Sequence, residues 1–178
     1  YPYYPEHIEA MEDYIVDNKY VEFKVTVPDK MPERYAKIAQ MVAKRYNLKI
    51  KKLTKKDIFQ GGYGQRIFQL INETYKDLYG FSELTHRQID QYVDMYLKLA
   101  DLNLITVIED GNQGDKLAGL GITIPSLAKP LQKCHRGRLF PFGWWHVLRA
   151  IKFHKTEGVD LLLIGFLPEY RATGANAP

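Results

Sequence analysis

Residues 160 to 166 read DLLLIGF, and residues 167 to 177 read LPEYRATGANA. The first run is short, apolar and bounded by polar or turn residues, which is the pattern of a core strand. The second passes through Arg171 into a series of small residues, Ala172, Thr173, Gly174, Ala175 and Asn176. A turn of that composition suits a pyrophosphate, because several backbone N–H donors must converge at a helix N-terminus and small side chains let the backbone approach the ligand. A plain tail after a core strand has the same composition, so the turn takes its meaning from the elements before it.

From residue 48 onward those elements are legible. LKIKKL (48 to 53) reads as a strand, and the glycine-rich loop FQGGYGQ separates it from a helix with Ile67, Leu70, Ile71, Tyr75 and Leu78 on one face. Gly80 ends that helix, and Thr85 opens a second one with Ile89, Val93, Tyr96, Leu97 and Ala100 in line. LITVIEDGNQGDKLAGLGITI supplies a hairpin, with strands expected at 104 to 109 and 116 to 124. A long connection follows, in which Trp144, Val147, Leu148 and Ile151 mark a short amphipathic helix. The order predicts an α/β or α+β domain with a largely antiparallel sheet flanked by helices, because the hairpin interrupts βαβ alternation. Upstream, PEHIEAMEDY reads as a short helix, VEFKVTV (21 to 27) as a strand with one apolar face, and Tyr35, Ile38, Ala39, Val42 and Tyr46 as a helix behind Pro32.

The order from residue 48, closing on Arg171-x-x-Gly174-x-Asn176, resembles the GNAT superfamily of acyl-CoA-dependent N-acetyltransferases. That family has a strand, two helices, two antiparallel strands, and then a central strand entering a turn of pattern Gln/Arg-x-x-Gly-x-Gly/Ala. Asn176 stands where the family prefers Gly or Ala, and Ala172 where Gly is frequent. The resemblance implies acetyl-CoA as co-substrate and an amine, of a small molecule or a protein, as acceptor. It places Phe166 and Leu167 near the pantetheine arm and Arg171, Ala172, Thr173, Gly174, Ala175 and Asn176 at the pyrophosphate. It also places Tyr79 and Phe81 in the connection that lines the acceptor site, where packing is the alternative role. It names no catalytic base or acid: Asp160 opens the strand far from the thioester end, and Glu169 lies on the phosphate side. The family continues past such a turn, so residues 48 to 178 resemble the first part of a GNAT-like domain, truncated at the C-terminus, and residues 1 to 47 the tail of a preceding one. A tandem domain or a dimer is the corresponding expectation, as is a lack of turnover by residues 1 to 178 alone.

Composition sets the outer bounds. A hydrophobic fraction of 46% with 26% charged residues is that of a globular protein, and no apolar run approaches the roughly 20 residues that cross a bilayer, so no membrane partner is expected. The single cysteine excludes an intrachain disulfide and leans towards the cytoplasm. Cys134, His135, His146 and His154 match no compact metal-ligand spacing, so no metal is expected. The net charge of +4 is uneven: residues 125 to 156 hold seven Lys and Arg and no Asp or Glu. Two further readings attach to that stretch. In one the protein is a non-catalytic GNAT-like module whose basic, aromatic connection (129 to 155) binds a partner; in the other it binds nucleic acid, which the acidic balance of the remainder disfavours.

Overall fold

The computed structural model describes residues 3 to 11, 13 to 97, 100 to 134, 137 to 153 and 156 to 171. The chain divides into two compact units, Tyr1–Met31 and Pro32–Pro178. In the first unit, helix α1 (Tyr3–Glu9) buries none of its residues. The expected strand at 21 to 27 does not form: these residues have no regular secondary structure, and Val21, Phe23, Val25 and Val27 are all exposed. Alternation alone does not make a strand, because each strand needs a neighbour for its backbone groups and a layer for its apolar face.

The second unit begins with α2 (Glu33–Tyr46), which ends at Asn47 in the left-handed region, φ 52°. Strand β1 (Leu48–Lys51) follows, then α3 (Lys55–Phe59), α4 (Tyr63–Tyr75) and α5 (His86–Tyr92), the last continuing as a π-helical turn over Val93–Leu97. Strands β2 (Ile105–Asp110) and β3 (Lys116–Pro125) form the expected hairpin. After them come α6 (Ala128–Gln132), α7 (Gly143–Phe153), β4 (Val159–Phe166) and α8 (Pro168–Arg171). The sheet has the order β1-β2-β3-β4 with every neighbouring pair antiparallel, so the fold is α+β as the sequence predicts. Among the described residues β4 lies at the edge of the sheet.

Local chemistry accounts for the boundaries. Thr54 and Asp57 form a reciprocal capping box that starts α3 inside what reads as a loop, and Thr85 with Gln88 does the same for α5. Gly62, at φ 72°, turns the chain into α4. A Cβ on Gly64 would meet Val93 Cγ1 at 2.8 Å, so the absent side chain is what lets α4 approach the turn after α5. Helix α4 stops at Tyr75, and Leu78 lies outside it, exposed.

The core joins α4 (Ile67, Leu70, Ile71), α5 with its continuation (Ile89, Val93, Leu97), the hairpin (Ile105, Val107, Leu120) and Leu167 just past β4. Fully burying side chains of this size contributes about 1.5–3 kcal/mol each. Ile67 is completely inaccessible, so Ile67→Ala should destabilise the unit by about 2–5 kcal/mol through lost contacts and a cavity. Urea denaturation followed by circular dichroism measures this; an unchanged midpoint would show that α4 does not anchor the core.

Candidate functional site

Antiparallel pairing decides which peptide groups of β4 are free to meet a ligand. Residues alternate between facing the neighbouring strand and facing away from it. The Leu167 N–H donates to the Ala118 carbonyl at 3.0 Å. Stepping back along the register, Gly119↔Phe166, Leu120↔Gly165, Gly121↔Ile164 and Ile122↔Leu163, the peptide groups of Gly165 and Leu163 face β3. Those of Ile164 and Phe166 face outward. Further along, Ile122 pairs with Leu163 and Thr123 with Leu161, so Leu162 is an extra residue, a bulge that bends this outer edge.

Two side chains meet the outward groups. The Tyr75 hydroxyl, at the C-terminal end of α4, donates to the Ile164 carbonyl at 2.8 Å and accepts from the Ile164 N–H at 3.1 Å. Arg171 donates from Nε to the Phe166 carbonyl at 3.0 Å and from Nη2 to the Thr74 carbonyl at 3.0 Å, tying the end of β4 to the end of α4. Helix α4 comes this close because Gly165 has no side chain: a Cβ there would lie 2.7 Å from Thr74 Oγ1.

The connection from α4 to α5 packs beside this edge. The Phe81 ring lies 6.0 Å from that of Tyr75, and the Asn72 side chain holds the far end of the connection, donating to the Leu84 carbonyl at 2.8 Å and accepting from the Leu84 N–H at 2.9 Å. Beyond it lies an open cavity of about 550 Å³ whose polar lining includes Glu73, Lys76, Glu83 and His86. Its lining comes from α4, the connection and the start of α5 and does not include Tyr75, Phe81 or Arg171.

The start of α8 is pinned separately. Tyr170 donates its hydroxyl to Asp110 Oδ2 at 2.6 Å, Gln113 bonds both, and Asp110 also accepts from the Asn112 N–H. Lys116 pairs with Glu169 at 3.0 Å. Nearer the sheet centre, Tyr63 donates to the buried Glu109, and burial, followed by that bond, raises the Tyr63 pKa.

Of the residues that the sequence singles out, Phe166 and Arg171 lie at the outer edge of β4, and Phe81 reaches it through Tyr75. Leu167 is 1% exposed, its side chain in the core. Tyr79 is exposed. Residues Ala172, Thr173, Gly174, Ala175 and Asn176 lie outside the described residues, as do His135 and His154. The Cys134 thiol is buried and bonds the carbonyls of Pro130 and Gly143. Tyr75 escapes the sequence reading because its helical spacing marks it only as core. The signal that distinguishes it is its place as the last residue of the helix, where a phenol can reach past the packed layer.

No protein-family profile matches the chain. The chain is similar to a protein of Caulobacter vibrioides (strain NA1000 / CB15N) named bacterial ceramide synthase, with 23% identity over 110 residues. The match covers 61% of this chain and 27% of that protein, so the chain spans well under two thirds of its length. Among the described residues no helix is long and apolar enough to cross a membrane.

Tyr170 and Asp110 make a pH prediction. Burial, helped by the Asp110 bond and charge, pushes the Tyr170 phenol from 10.0 up to about 12. The folded state therefore holds this proton more tightly than the unfolded chain does, and the stability involved is complete below the unfolded phenol range and lost as pH rises through about 12. The Asp110 carboxyl is lowered, first by the Tyr170 hydroxyl and then by the Asn112 N–H. Its contribution is present above the ordinary carboxylate range and lost as pH falls through the depressed value. Tyr170→Phe should cost about 1.5–3 kcal/mol at neutral pH, the worth of a hydrogen bond to a charged group. It should also flatten the alkaline decline in urea midpoints. An alkaline slope equal to that of the parent protein would refute the assignment.

Proposed function

We propose that this chain carries the acyl-donor side of an acyl-CoA-dependent N-acyltransferase, with acetyl-CoA the expected donor and the outer edge of β4 the place where the donor binds. The observation that carries the reading is the pair of outward peptide groups at Ile164 and Phe166, next to a bulge and met by the Tyr75 phenol at the end of α4 and by the Arg171 guanidinium. An extended chain with amide groups, as pantetheine is, binds such an edge by adding hydrogen bonds in the manner of a strand. The order of elements adds to this through its resemblance to the GNAT superfamily. The similar protein's name adds independent support for the reaction class, since a ceramide is a fatty amide of a long-chain amino alcohol and its synthesis forms an N-acyl bond.

The proposed sequence of events uses this chain's own groups. Without donor, the Tyr75 hydroxyl satisfies both peptide groups of Ile164. A donor amide or thioester carbonyl that takes the Ile164 N–H displaces the phenol by a short distance, leaving it next to the reacting carbon. The acceptor gives its ammonium proton to water and attacks the thioester carbonyl as the neutral amine; the C–N bond forms as the C–S bond breaks, and the extra proton on the new amide nitrogen returns to the phenolate formed when Tyr75 protonates the thiolate. Backbone N–H groups of β4 stabilise the oxyanion, and the Tyr75 O–H is placed to protonate the departing thiolate.

Removing a group that transfers a proton in the transition state slows the reaction by about 10²–10⁴-fold. Tyr75→Phe should therefore lower kcat for thiol release from acetyl-CoA in the presence of an amine acceptor, measured on the full protein, while calorimetry shows CoA affinity within a few-fold of the parent protein. Unchanged kcat would remove Tyr75 from the mechanism. Lack of any CoA binding by the parent protein would overturn the function itself.

A further inference from the structure

The segment between β3 and β4 builds an exposed aromatic turn that the proposed acyl transfer does not use. The Trp144 N–H donates to the Leu139 carbonyl at 2.7 Å, the Trp145 N–H to the Phe142 carbonyl at 3.2 Å, and the Trp144 indole N–H to the Pro141 carbonyl at 2.9 Å. Gly143 sits so close to the preceding backbone that a Cβ would lie 2.3 Å from the Arg138 carbonyl. These bonds hold the turn in one shape, and that shape points its apolar side chains at solvent: Phe140 and Phe142 are each 78% exposed, and Leu139, Trp144 and Trp145 are exposed beside them. Along α7 the exposure continues at helical spacing, with Trp144 and Ile151 on one stripe and Trp145, Arg149 and Lys152 on the next.

Charge tells what this surface meets. Lys129, Lys133, Arg138, Arg149 and Lys152 flank the turn in sequence, and the stretch from 125 to 156 contains no acidic residue. Between α6 and α7 a small cavity of about 120 Å³ is lined by Lys133, His146 and Arg149, together with Lys129 paired to Glu157. Exposed Trp, Phe and Leu on a short amphipathic element ringed by Lys and Arg, too short to span a bilayer, is the composition of a segment that lies in the membrane interface. The aromatic side chains settle at head-group depth, and the basic groups meet anionic head groups.

We propose that residues 139 to 142 and the exposed stripe of α7 dock the protein on the surface of an anionic lipid bilayer, with a lipid phosphate received at Lys133, His146 and Arg149. The expectation of no membrane partner rested on the lack of a spanning run, and a segment that lies on the interface needs none. This inference is independent of the acyltransferase reading: it concerns a different surface and is tested without acyl-CoA.

Both tryptophans of the sequence, Trp144 and Trp145, lie in this surface, so fluorescence excited at the red edge, where tyrosine does not absorb, reports on it alone. Vesicles of phosphatidylcholine with one third phosphatidylglycerol should shift the emission to the blue and sediment the protein, and lipids brominated near the head group should quench it. Vesicles of pure phosphatidylcholine should bind at least tenfold more weakly. Phe140→Ser with Phe142→Ser, both at exposed positions, should lose binding at least tenfold with an unchanged melting temperature. Arg149→Glu with Lys152→Glu should abolish the preference for anionic lipid. The absence of a fluorescence shift with anionic vesicles would overturn the proposal. So would binding that the Phe pair leaves unchanged, or salt-sensitive binding to a single-stranded oligonucleotide that exceeds binding to vesicles.

Discussion

The close approach of α4 to β4 at Gly165 is the contact on which the candidate site depends. With Thr74 Oγ1 standing 2.7 Å from where a Cβ would be, any side chain at this position forces the helix end away from the strand. Only at this separation does the Tyr75 hydroxyl reach both peptide groups of Ile164, and only then does Arg171 span from the Phe166 carbonyl to that of Thr74. An edge strand with open N–H and C=O groups is prone to pair with other chains. Here part of that edge is occupied by a phenol and a guanidinium, which cover it without adding a strand.

The sheet behind this edge serves as its rigid support. The hairpin of β2 and β3 is fixed by the buried Val107, Ala118 and Leu120, and its turn reaches forward through Asp110 and Gln113 to hold Tyr170. The residues after β4 are therefore anchored on both sides, by Tyr170 to the hairpin and by Arg171 to α4. A group that must be placed to within a fraction of an ångström for acyl transfer gains from such supports.

Much of this was legible in the residues. The periodicity of Ile67, Leu70 and Ile71, the Gly-containing turn between the hairpin strands and the apolar run DLLLIGF placed α4, β2, β3 and β4 close to their observed bounds. The α3 helix has no apolar period to mark it; its signal is a four-residue capping box. The alternation of VEFKVTV misled because a strand is made by its neighbour as much as by its own pattern. At the site, Phe166 and Arg171 are singled out only through the GNAT resemblance, and the bonds of Arg171 to the Phe166 and Thr74 carbonyls are visible only in the structure, as is the reach of Tyr75, which depends on where α4 ends and on Gly165 admitting it. The basic, aromatic connection was visible as composition, but the exposure of Phe140 and Phe142 depends on backbone bonds that no spacing rule describes.

The central claim is that the outward peptide groups of β4 receive the donor. Amide chemical shifts and hydrogen exchange, followed by NMR as CoA is added to the isotopically labelled protein, test it most directly. The account predicts that the Ile164 and Phe166 amides shift and gain protection from exchange, with the Tyr75 ring signals moving at the same CoA concentration. Saturable changes confined to Glu73, Glu83 and His86, with Ile164 and Phe166 unmoved, would contradict it.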